Sequence, residues 1–228
     1  MVFPHRGQSF DAPELVRLKH AGVHVHPRRS MLTTILHAHW AGWRMNACVV
    51  PLGASTPVAT LGYVQAALEL LEQVRQGHLP EPRRIYLPFA TGGSVAGLLV
   101  GLALADAKTR VVAVRTVESV IANRRRLERL VKGTLELLGL DRQYLGLCLH
   151  RLELIDSRQL GRGYRATTST TKEAVAIAAT HDLSLDPVFS GKAFASMLDA
   201  LPGFPDGDLL FWNTHDQQHG PTKAEANR

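Results

Sequence analysis

Two adjacent glycines between two hydroxyl residues, Thr91-Gly92-Gly93-Ser94, carry the clearest chemical signal in the chain. They follow an apolar run, IYLPF, and open a small-residue segment, VAGLLVGLAL. A glycine turn entering a helix lets backbone N–H groups converge on an anion, and the helix dipole adds positive potential. The hydroxyls of Thr91 and Ser94 are placed to bond phosphate oxygens. No Gly-Lys-Ser/Thr follows, so this is no Walker loop, and the spaced GxGxxG of a dinucleotide site is absent too. A plain strand-to-helix turn is the alternative, and the flanking hydroxyls favour the anion. Two weaker signals lie downstream. The stretch SLDPVFSGKA puts Ser190 and Lys192 in a loop near an element end, and Gly161-Arg162-Gly163-Tyr164 sets a tyrosine beside flexible glycines.

The elements that must position these residues alternate between strand and helix. Residues 11–20 carry acid early and base late, as a short helix prefers, and Gly22 ends them. Val23 and Val25 then alternate with His24 and His26 like a strand. The pattern predicts a helix over 31–41, a short apolar strand over 46–51, and a long amphipathic helix over 57–76 ending at Gly77. A strand over 84–89, a helix over 94–106, a buried strand over 110–114 and a helix over 119–138 follow. Gly97 and Gly101 are expected to let the 94–106 helix pack tightly on the sheet. After Gly139 the pattern loosens until a strand at 152–155. A helix over 171–181 comes next, with Thr170 and Glu173 at capping-box spacing. A last buried strand covers 208–212, and the tail from His219 is polar and expected to be disordered. Helices of this length between strands indicate βαβ units and a mostly parallel sheet.

Composition narrows the function classes. In 228 residues, 45% hydrophobic and 20% charged is an ordinary globular balance, which excludes a fibrous or wholly disordered chain. No apolar run reaches the roughly 18 residues of a membrane span. The first ten residues show no basic region followed by an apolar core, so no secretory signal is read. Two cysteines, Cys48 and Cys148, sit in apolar sequence settings without CxxC spacing, which excludes a disulfide framework and points to a reducing, cytoplasmic compartment. The net charge of +6 raises the question of nucleic acid. Its densest source, Arg124 to Arg129, reads as the solvated face of a helix whose apolar side is Leu127, Leu130, Val131 and Leu135. No aromatic residues interleave with the arginines as a stacking platform would require. His24 with His26, His37 with His39, and His215 with His219 bring no third ligand with them, and no metal site is assigned. Trp40 and Trp43 are expected to pack the interior of the N-terminal region.

Taken in order, PLGASTPVATLGYVQAALEL, IYLPFATGGSVAGLLVGLAL, GRGYR, LDPVFSGKA and LLFWNTHD resemble one family. It is the pyridoxal-phosphate-dependent D-cysteine desulfhydrase and 1-aminocyclopropane-1-carboxylate deaminase family, of the tryptophan-synthase-β-like fold. The resemblance implies a three-layer α/β fold with a parallel sheet, pyridoxal 5'-phosphate as cofactor, a small amino acid as substrate, and a homodimer. It divides the chain into a remnant of the smaller α/β domain over 1–50, an incomplete cofactor-binding domain over 51–216, and a tail over 217–228. The family's phosphate loop falls on Thr91, Gly92, Gly93 and Ser94. The residue facing the pyridine nitrogen falls on Ser190, a hydroxyl as on the desulfhydrase side of the family. That choice leaves the ring nitrogen largely unprotonated and suits elimination. The family's active-site tyrosine falls on Tyr164, a candidate acid/base or orienting group, and its end segment on Asn213-Thr214-His215-Asp216.

Two departures qualify the resemblance. Phe189 stands where family members usually carry a tyrosine, and a phenyl ring transfers no proton. The lysine that carries the cofactor, found in the family in an upstream GGNK-type segment, has no counterpart here, and neither does the SNH-type segment after it. Lys192 occupies a position where the family has a structural lysine. A complete member would hold on the order of 100 further residues before Met1. The expectation is therefore the C-terminal part of a lyase catalysing D-cysteine-type α,β-elimination to sulfide, ammonia and a keto acid, inactive in this form. A non-catalytic phosphate- or cofactor-binding homologue is the second reading.

Overall fold

The computed structural model describes residues 20–24, 26, 30–156, 163, 166–204 and 208–214. The chain divides into two compact units, Met1–Pro51 and Leu52–Arg228.

In the first unit, helix α1 (Met31–Met45) begins at Ser30, whose side chain accepts the Thr33 N–H, and ends at Asn46 in the left-handed region. Asn46 turns the chain so that the Ala47 N–H bonds the Gly42 carbonyl at 2.8 Å. This left-handed cap replaces the strand expected over 46–51, where no ladder forms. Trp40 and Trp43 are 52% and 82% exposed rather than packed inside, and Cys48 is exposed. Of the helix expected over 11–20, all but His20 lies outside the described residues; His20 is helical, and positions 23, 24 and 26 are not strand.

The second unit is a three-layer α/β structure. Strands β1 (Arg84–Phe89), β2 (Arg110–Arg115), β3 (Leu152–Asp156) and β4 (Leu209–Phe211) form one parallel sheet in the order β3-β2-β1-β4. Period-2 alternation assigns the faces. Ile85, Leu87, Phe89, Val111 and Ala113 point into a core shared with α2 (Pro57–Arg75), α3 (Gly93–Leu104), α4 (Arg124–Leu137) and α5 (Gln143–His150). Tyr86, Val112 and Val114 point the other way, onto Ala193 and Met197 of α7 (Ser190–Ala200), and α6 (Ser169–Ala179) packs on α7. Each fully buried aliphatic side chain contributes about 1.5–3 kcal/mol of transfer free energy.

Several boundaries differ from the pattern for local reasons. Helix α4 starts at Arg124 because Asn123 caps it, its side-chain oxygen accepting the Arg126 N–H at 2.9 Å. Helix α6 is capped by Thr168, not Thr170. Helix α5 was not expected. Its short stretch has weak periodicity, and packing of Tyr144, Leu145, Cys148 and Leu149 onto the core holds it. Strand β4 is half-buried rather than buried, being an edge that pairs with β1 alone.

Gly97 and Gly101 pack helix on helix, not helix on sheet. A Cβ at Gly97 would lie 2.4 Å from Tyr63 Cβ and 2.6 Å from the Thr60 carbonyl oxygen. One at Gly101 would meet Ala67 Cβ at 2.6 Å. These contacts bring the N-terminal ends of α2 and α3 to the same level. Among the described residues, no helix is long and apolar enough to cross a membrane.

Candidate active site

Strand β1 ends at Phe89, and the chain must turn at once to enter α3. Gly92 makes the turn with φ of +96°, a region that costs a side-chain-bearing residue about 1–2 kcal/mol. Helix α3 has no side-chain cap, and its first intrahelical bond runs from the Ala96 N–H to the Gly92 carbonyl at 2.9 Å. The N–H groups of Gly93, Ser94 and Val95 precede that bond and have no acceptor inside the helix. They open on a cavity of about 600 Å³ at the carboxyl ends of β1 and β4. In a parallel sheet this is the switch point, where one connection runs from β1 toward β2 and β3 while β4 lies on the other side.

Thr91, Gly92, Gly93 and Ser94 all line this cavity. So do Gly53, Ala54, Ser55 and Tyr63 from the start of α2, and Thr214 from the end of β4. The Ser55 hydroxyl donates to Thr91 Oγ1 at 2.6 Å. The third wall is the segment Asp186 to Phe189. Ser190 is fully buried, and its hydroxyl turns into its own loop. It donates to Asp186 Oδ2 at 2.7 Å and accepts the Asp186 N–H at 2.9 Å. The same carboxylate accepts the N–H groups of Val188, Phe189 and Ser190 at 2.8, 2.8 and 3.0 Å. Burial pushes the Asp186 carboxyl up, but the Ser190 N–H and hydroxyl, with the Phe189 and Val188 N–H groups, outweigh it and hold the group below the usual carboxylate range. Ser190 is the first residue of a helix rather than part of a loop, and Lys192, two residues further on, is fully buried. Burial lowers the Lys192 ammonium from its ordinary value, opposed by the charges of Glu118 and Asp186.

The structure thus gathers Thr91 to Ser94 into one cavity and keeps Ser190 just behind its wall. Phe189, beside the cavity, presents a phenyl ring. Tyr164, His215 and Asp216 lie outside the described residues. Sequence reasoning left Ser55, Tyr63 and Asp186 unassigned. For Ser55 a signal was present, since Gly53-Ala54-Ser55-Thr56-Pro57 reads as a turn into a helix N-terminus.

An anion cradle of neutral donors fits this geometry. The turn needs glycine at Gly92. A Cβ at Gly53 would lie 2.3 Å from Thr91 Oγ1, and one at Gly93 would lie 3.1 Å from Ser55 Oγ. Backbone donors and hydroxyls therefore approach a ligand closely, with Asp186 the sole charged side chain among the described lining residues. These groups suit the phosphate of a cofactor, and the cavity volume suits its ring.

The fold and site define an α/β protein with a cavity at a sheet switch point whose donors suit a phosphorylated ligand. Comparison with known proteins gives the family: residues 15–214 match the model for "Pyridoxal-phosphate dependent enzyme", and the chain belongs to that family. It is 31% identical over 170 residues to the D-cysteine desulfhydrase of Serratia proteamaculans, covering 73% of this chain and 49% of that protein. It is 31% identical over 201 residues to the nocardicin C-9' epimerase of Nocardia uniformis, covering 85% and 57%. A crystal structure of an ACC deaminase homologue superposes with a TM-score of 0.70 at 23% identity, covering 86% of this chain and 59% of that one. The chain spans about half the length of the curated relatives it matches.

Proposed function

We propose that this chain forms the phosphate-holding and ring-side wall of a pyridoxal-phosphate-dependent lyase acting on a small amino acid. The observation that carries the reading is the convergence of the α3 N-terminus, its two hydroxyls and the α2 entry loop on one cavity at the switch point. When bound, the cofactor supplies an electron sink for charge developing at the substrate α-carbon. Thr91, Ser94 and the N–H groups of Gly93 to Val95 hold and orient the phosphate. Asp186 to Phe189 and Tyr63 wall the ring and exclude water. Ser190 stands behind that wall with its proton donated to Asp186. Tyr164 is the proposed acid/base group.

Similarity to the Serratia desulfhydrase supports α,β-elimination on D-cysteine or a close analogue. In that reaction the α-proton is removed and the β-substituent leaves as sulfide. Water then completes release of ammonia and a keto acid. Phe189, which has no proton to give, fits elimination better than deamination of a cyclopropane ring. Unpaired cysteines at positions 48 and 148 support a cytoplasmic setting.

A second reading, binding without chemistry, is favoured by one observation: no lysine lines the cavity among the described residues. Absorption spectra of the full chain with the cofactor, before and after borohydride reduction and peptide mapping, test the cradle on which both readings stand. The expected result is binding displaced by inorganic phosphate, with no lysine labelled. Reductive trapping at Lys192 would overturn the reading that no lysine of this chain carries the cofactor, and no binding at all would overturn the cradle.

A further inference from the structure

Ser55 lies 36 residues upstream of Thr91, outside the glycine-rich turn, yet its hydroxyl reaches Thr91 Oγ1 at 2.6 Å. Three features force the approach. Gly53 adopts φ of +66°, and a Cβ there would lie 2.3 Å from Thr91 Oγ1. Gly93 offers no side chain, and a Cβ there would stand 3.1 Å from Ser55 Oγ. Below them, Gly97 and Gly101 let α2 and α3 touch backbone to backbone. The entry loop of α2 is thereby held against the entry of α3, and both line the cavity.

We propose that Ser55 is a positioning residue for the cofactor phosphate, donating to Thr91 so that the Thr91 hydroxyl keeps its own proton for a phosphate oxygen. A hydroxyl has one proton to donate and two lone pairs. By accepting from Ser55, Thr91 is oriented, and its outgoing hydrogen bond is strengthened by the chain of two. The Gly53 carbonyl, 3.3 Å from the Ser55 hydroxyl, competes for that single proton at longer range, and the 2.6 Å contact to Thr91 takes it. No charged side chain is needed, in keeping with a cradle built from hydroxyls and backbone. The inference rests on the cofactor reading of the cavity.

The test compares two probes, pyridoxal 5'-phosphate and pyridoxal, which share a ring and differ in the phosphate. Each is titrated by absorbance into the full chain and into Ser55→Ala, Thr91→Val and the double variant. The wild-type chain binds the phosphorylated probe more tightly. Ser55→Ala weakens that probe roughly tenfold, the scale of one hydrogen bond to a charged group, and leaves pyridoxal unchanged. Thr91→Val, which keeps side-chain volume, reproduces the loss, and Ser55→Ala adds nothing to it, because Ser55 acts through Thr91. Equal weakening of both probes, an unchanged preference in Ser55→Ala, or losses that multiply in the double variant would each overturn the role of Ser55. A wild-type chain without preference for the phosphorylated probe fails differently: it removes the cradle itself.

Discussion

Two of the loops that wall the cavity, at the starts of α3 and α7, each lead into a helix past a serine, but they treat their backbone donors in opposite ways. At the start of α3, the turn is glycine and no side chain caps the helix, so its first N–H groups face the cavity. At the start of α7, the Asp186 carboxylate takes three N–H groups and the Ser190 hydroxyl as well. One loop is left open for a ligand, while the other is saturated from within. Both helix starts carry the same dipole, so the difference comes from one carboxylate four residues before Ser190. A hydroxyl at a helix entry is therefore a poor guide to ligand contact until the competing acceptors are known.

Removing that carboxylate is the severest way to break the contrast. Asp186→Ala removes the side-chain acceptor of three N–H groups, one buried and two part-buried, and of the Ser190 hydroxyl, and is expected to cost about 3 kcal/mol in urea unfolding. Asp186→Asn keeps an acceptor but loses the charge, and is expected to cost about half as much at neutral pH. Its deficit should shrink in acid. A carboxyl held below its usual range in the fold stabilises fully above the unfolded value of about 4, and that contribution is lost as pH falls through the lowered folded value. Wild type and Asp186→Asn therefore converge below pH of about 4, as urea midpoints across a pH series would show; a constant gap would refute the charge argument. At the small end, Ser190→Ala is expected to lose about 1 kcal/mol of stability. Ser94→Ala should stay within about 0.5 kcal/mol while weakening phosphate binding. If the two serines exchange these phenotypes, the contrast between the loops is wrong.

Much of the sheet was legible because its signals are local. The strand over Arg84–Phe89 is found with the boundaries the apolar run predicts, and the cradle glycines announce themselves by type. Other elements were hidden by context. Helix α5 rests on core contacts rather than on a strong periodic pattern. Residues 46–51 have strand-like composition, but Asn46 turns the chain and no ladder partner is present among the described residues. The exposed Trp40 and Trp43 show that apolar character alone does not decide burial.

The sequence by itself determined the alternation of strand and helix and the turn at Gly92-Gly93, because side-chain period and glycine's access to positive φ are properties of a few neighbouring residues. Tertiary structure alone decided that Gly97 and Gly101 seat α3 on α2, that Ser55 meets Thr91, and that the Ser190 proton goes to Asp186. A glycine's missing Cβ and a hydroxyl's single proton acquire meaning only from the atom packed against them. That atom is set by the fold, whether it lies four residues away or 36.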